Sequence, residues 1–116
     1  MEPLEYYYEP INRNAIVVKP KTPFFNWHNE VFSDEEPMHD LDENNIYLIR
    51  EMASNEDIKK WIKRNFKDLF TNELNDWCAD KSLWPKKMTY IMFSDWFAVE
   101  IHSMVLDLEE EPVTKD

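Results

Sequence analysis

Glu100 and His102 stand two residues apart in AVEIHSMVLDL (98–108), a stretch that alternates and is rich in β-branched side chains. On a strand, a spacing of two sets both side chains on one face. An imidazole beside a carboxylate is the smallest unit that can act as a general base or supply half a metal site. His28, His39 or Asp95 could add a third ligand, yet no spacing forces any of them toward His102. A histidine that finds a hydrogen-bond partner on a half-buried strand explains the same residues. Cys78 is the other candidate nucleophile and follows Trp77 at the end of a long helical pattern. A Cys–His pair with His102 would be a nucleophilic site. A helix C-terminus disfavours a thiolate, however, and a lone cysteine is often a small buried apolar residue.

Three further groups could bind rather than react. Glu30, Asp34, Glu35, Glu36, Asp40, Asp42 and Glu43 fall in one segment with no Lys or Arg. The segment lacks the calcium-loop pattern, whose glycine the chain cannot supply, so it reads as a solvated acidic loop. Lys59, Lys60, Lys63, Arg64 and Lys67 line one face of a helical pattern, as an amphipathic helix requires. Trp84–Pro85 is either an exposed aromatic anchor or a stiff lid over a helix end. Tyr6, Tyr7 and Tyr8 could pin an N-terminal arm to the body. Glu35, Glu36, Asp40, Tyr7 and Trp84 are the residues expected to meet a partner.

Composition narrows the chemistry. The chain has no glycine. Phosphate-cradling loops and the GxSxG nucleophile elbow both need one, so neither can form. Turn positions with positive φ would fall to Asn12, Asn14, Asn44 or Asn45. The net charge of −11 repels nucleic acid and anionic membranes, and suits solubility or a basic partner. Acids sit in a loop and at the termini rather than over a rigid surface, which argues against a mimic of nucleic acid. One cysteine excludes an internal disulfide and fits a reducing compartment. The first residues lack the basic and apolar regions of a signal peptide, and no apolar run is long enough to span a bilayer. These features predict a cytoplasmic protein that needs no cofactor.

The elements that must position these residues follow from periodicity. AIVVKP (15–20) reads as a strand. TPFFNWHNEVF (22–32) reads as a helix with Thr22 as N-cap and Pro23 at the first helical position. IYLIREM (46–52) is a second strand. SNED (54–57) resembles a capping box, with Ser54 as N-cap. After it, Ile58, Trp61, Ile62, Phe66, Leu69, Phe70, Leu74 and Trp77 repeat at helical spacing through residue 78. Residues 79–87 connect to a short helix, 89–97, capped by Thr89, and 98–108 forms the third strand, with Met104 and Leu106 on the face of His102. The order β-α-β-α-α-β predicts an α+β domain, a small three-stranded sheet with helices packed on it. Its limits are 13–108, between an extended arm (1–12) and an acidic tail (109–116). Such a domain can leave a sheet face or edge open, and a homo-oligomer would cover it.

NRNAIVVKPKTPFFNW, YLI, FTNELNDWCADKSLWP and FSDWFAVEIHSMVLDL together resemble a group of small acidic bacterial proteins with the pattern AIVVxPKxPFxxW…WP…FxxWFxVExHSxVxDL. The resemblance covers roughly 13–108. It implies a bacterial cytosolic domain and carries no catalytic residue over, since the group has no assigned function. The residues themselves favour an interaction or regulatory module that binds a basic protein surface. The alternative is a small enzyme or metal-binding protein that uses Glu100 and His102.

Overall fold

The computed structural model describes residues 8–115. Strand β1 (Arg13–Pro20) lies in the middle of a three-stranded antiparallel sheet, with β2 (Asn45–Arg50) on one side and β3 (Phe97–His102) on the other. Helices α1 (Thr22–Val31), α2 (Asn55–Trp77) and α3 (Tyr90–Trp96) make the second layer, and a single 3-10 turn spans Lys81–Leu83. The element order is the expected β-α-β-α-α-β.

Strand alternation divides the sheet into two unlike faces. Asn14, Ile16 and Val18 of β1 are fully buried against the helices. Their cross-strand partners are Tyr47 and Ile49 on β2, and Val99 and Ile101 on β3. Ile46, Leu48, Glu100 and His102, of the opposite register, face away from the helices and are exposed, while Val17 and Ala15 between them on β1 are half-buried and buried. Among the described residues the helices cover the sheet on one side only, as antiparallel sheets allow.

The apolar stripe of α2 closes the core. Ile58, Ile62, Leu69, Phe70 and Leu74 are buried with Phe24, Phe25, Phe93 and Phe97. Ser54 caps α2 as its sequence predicts, its side chain accepting the Asp57 N–H at 3.2 Å. Thr89 does the same for α3 through Met92 N–H at 3.1 Å.

The start of α1 differs from expectation. Lys21, not Thr22, is the N-cap, and no side chain caps the helix. The neighbouring helix explains the shift. Lys21 N–H donates to the Trp96 carbonyl at 2.7 Å, and its ammonium donates to the Ser94 carbonyl at 2.7 Å. A cation at the carbonyl end of α3 is favourable, so a tertiary contact sets the boundary rather than a local cap.

The third strand is shorter than 98–108, because β3 ends at His102. Continuing the pairing in which Ala15 faces His102, Ile11 would face Leu106. Instead Ile11 N–H donates to the Val105 carbonyl at 2.7 Å, one residue out of register. Asn14 sits at the break, where its side-chain amide donates to the Ser103 carbonyl at 3.2 Å. A one-residue slip exchanges the two faces of a strand, so Met104 and Leu106 do not continue the face of His102. Among the described residues no side chain adopts positive φ, which overturns the role expected of Asn12, Asn14, Asn44 and Asn45. The connections turn within ordinary φ, and Asn14 lies inside β1.

Candidate functional site

Glu100 lies on the open face of β3, directly opposite Val17 and diagonal to Lys19 of β1. Lys19 donates to its carboxylate at 2.5 Å, and His102 Nε2 lies 3.4 Å from its other oxygen. The strand period thus brings Glu100 and His102 together as expected. The lysine was not anticipated. It sits at β1 and becomes a neighbour only through the strand pairing.

This contact changes the chemistry. Lys19 first, and His102 second, hold the Glu100 carboxyl below the usual carboxylate range. A weakened base already engaged by an ammonium is poorly suited to take a substrate proton. All three side chains are about half exposed. Neither Glu100 nor His102 lines the surface pockets on α2, α3 and the 39–45 loop, although Lys19 borders one of them. The third-ligand candidates are also dispersed. His28 is buried between Phe32 and Trp77, whereas His39 and Asp95 are exposed on the 33–44 loop and on α3. Among the described residues, no group of three or more His, Cys, Asp or Glu side chains could hold a metal ion.

Cys78 is buried at the C-cap of α2, with its thiol 3.6 Å from the Asp80 carbonyl. Its own carbonyl accepts the Trp84 indole N–H at 2.8 Å. Trp84 is half-buried, and Lys81 stands 6.0 Å from its ring. The pair closes the end of α2. Tyr7 lies outside the described residues.

Glu35, Glu36 and Asp40 are all exposed on the loop between α1 and β2. The loop is nonetheless fixed at its centre. Asn29 grips Met38 with two 2.8 Å hydrogen bonds, accepting its N–H and donating to its carbonyl. Met38 and Leu41 pack against the core, which leaves the carboxylates on the outer side.

Two sites escaped the sequence reading. Glu73 is buried on α2, at 4% exposure. It accepts from the Tyr47 hydroxyl at 2.5 Å and from Asn45 at 2.7 Å. Asn45 also donates to Asp76, and Asn72 donates to the Tyr47 oxygen. Burial raises the Glu73 carboxyl above its ordinary value, against the lowering effect of Tyr47 and Asn45, and Asp76 adds to the rise. Burial also raises the Tyr47 hydroxyl, with Glu73 next. The available signal was register: Glu73 falls on the apolar stripe between Phe70 and Trp77.

A carboxyl with a raised folded-state pKa favours folding in its protonated form. That contribution is full below the ordinary glutamate value, about 4.3, and is lost as pH rises through the folded-state value. Glu73→Gln is therefore expected to flatten the fall in stability as pH rises from the ordinary value to the folded-state one. Urea midpoints measured over a pH series check this, and equal slopes for the two proteins would refute it.

The second missed site is basic. Arg50, Lys60 and Arg64 line a pocket of about 270 Å³ with Trp61 and Met52 where β2 meets α2. Arg13 faces Arg50 across the strands. The helical spacing of the cations was legible, but their convergence with two arginines of the sheet was not. No family model, curated protein or solved structure matches the chain. No described helix is long and apolar enough to cross a membrane.

Proposed function

We propose that the protein is a non-catalytic interaction module of the cytoplasm that binds a basic protein surface through its acidic loop. The carrying observation is the Asn29–Met38 clamp, which anchors a segment of exposed carboxylates to the folded core. A pre-ordered acidic segment loses little conformational freedom on binding, and its field speeds encounter with a cationic partner. The buried thiol of Cys78 is consistent with a reducing compartment. An enzyme or metal protein built on Glu100 and His102 draws less support, because Lys19 already occupies the carboxylate.

The test uses the immobilised full chain and an extract of its native host at low salt. A retained basic protein should be released as salt rises. It should bind Glu35→Lys/Glu36→Lys/Asp40→Lys at least about tenfold more weakly, as the loss of steering and paired charge requires. Recovery of no partner, or equal recovery by the variant, would overturn the assignment.

A further inference from the structure

The open face of the sheet and the C-terminal segment are two exposed apolar stripes with the same spacing. On the sheet, Ile46 and Leu48 are 67% and 49% exposed, flanking Val17 and Ala15 of β1. On the segment after β3, Met104, Leu106 and Leu108 are 67%, 47% and 63% exposed. Both stripes repeat every second residue, the period of extended chain.

The charges that follow each stripe are opposite. Beyond Leu48 the sheet face ends in Arg50, with Arg13 directly across, and Arg50 joins Lys60 and Arg64 around the adjoining pocket. Like charges opposite each other on a sheet are unfavourable. None of these four cations forms an ion pair among the described residues. Asp57 also lines the pocket but lies beyond ion-pair reach, and Arg13 donates only to Asn12. Beyond Leu108 the segment continues as Glu109, Glu110 and Glu111.

Within one chain the stripes are held apart. The Ile11–Val105 hydrogen bond holds the segment beside the residues that precede β1, beyond the end of the strand. The radius of gyration is 17.3 Å, against roughly 13 Å for a compact chain of this length. We propose that residues 104–111 of a second copy lie on the open sheet face, in a reciprocal dimer. Met104, Leu106 and Leu108 cover Ile46 and Leu48, and the glutamates reach Arg13, Arg50, Lys60 and Arg64. A two-fold arrangement satisfies both copies at once. It leaves the acidic loop free, so it stands independently of the function proposed above.

Sedimentation of the full chain over micromolar to submillimolar concentrations is expected to show a reversible dimer that weakens with salt. Two variants separate this contact from any other. Arg50→Glu/Arg64→Glu reverses the sheet end, and Glu109→Lys/Glu110→Lys/Glu111→Lys reverses the segment. All five side chains are exposed, so both variants should fold. Each alone should dimerise at least about tenfold more weakly, and an equimolar mixture should recover the dimer, because the reversed segment then meets the reversed sheet and the native segment meets the native sheet. A monomeric wild type overturns the proposal. So does a variant that dimerises normally alone, or a mixture that stays monomeric.

Discussion

Replacing Phe70 with alanine should remove about 3–5 kcal/mol of stability, a large share of the ~5–15 kcal/mol typical of a whole domain. Phe70 is fully buried on α2. Its ring lies 5.8 Å from Phe93, 5.4 Å from Trp96 and 5.5 Å from Phe97. Those three residues run from α3 into β3 with no loop between. The phenyl ring thus joins the long helix to both the last helix and an outer strand, beside Phe66, which also packs on Tyr90 and Phe93. Its loss removes apolar burial and opens a cavity that three large rings cannot easily refill. Alanine at Ile91, which is 75% exposed on α3, is the control and should cost within about 0.5 kcal/mol. Urea unfolding measures both. A cost below about 1 kcal/mol at Phe70 would show that the aromatic cluster does not join these elements.

The aromatic cluster also shows what the sequence makes legible. Phe66, Phe70 and Leu74 repeat at helical spacing, so α2 and its buried side can be read directly. Ser54 and Thr89 announce helix starts because their caps are local, completed within three residues. Lys21 shows the opposite case. It caps α1 because α3, more than seventy residues away, presents carbonyls to it. No local pattern contains that contact. The same limit applies to the candidate site. The spacing of Glu100 and His102 is local and was legible, whereas the lysine that occupies Glu100 depends on strand order. Strand order likewise decides that Arg13 meets Arg50, which turns two scattered cations into part of a cluster.

Glu73 and Asn14 fall between these cases. Each is a polar residue in a buried register, visible as an irregularity but without a visible partner. For Glu73 the partners are Tyr47 and Asn45 on β2. The cluster therefore ties the long helix to an outer strand by polar contacts, where Phe70 ties it to the other by apolar ones. A buried carboxylate is costly unless it is hydrogen-bonded, and here several groups share that task.

Asn14 should be the most sensitive polar position in the chain. It is 1% exposed in the central strand. Its side-chain oxygen accepts the Met52 N–H at 2.9 Å, just after β2, and its amide donates to the Ser103 carbonyl, just after β3. One side chain thus completes the ends of both outer strands, where the backbone ladder has stopped. Asn14→Leu keeps similar bulk but leaves two backbone groups unpaired, at about 1–3 kcal/mol each. The total, about 2–6 kcal/mol, should appear in urea unfolding. Asn14→Asp separates the two bonds, since it retains an acceptor for Met52 but sets a carboxylate oxygen against the Ser103 carbonyl. Hydrogen exchange should then accelerate at the Met52 amide in Asn14→Leu and stay slow in Asn14→Asp. Equal exchange in the two variants would show that Met52 is held by something other than Asn14. With both bonds intact, the residue that ties the strand ends also stands where the register between β1 and β3 changes.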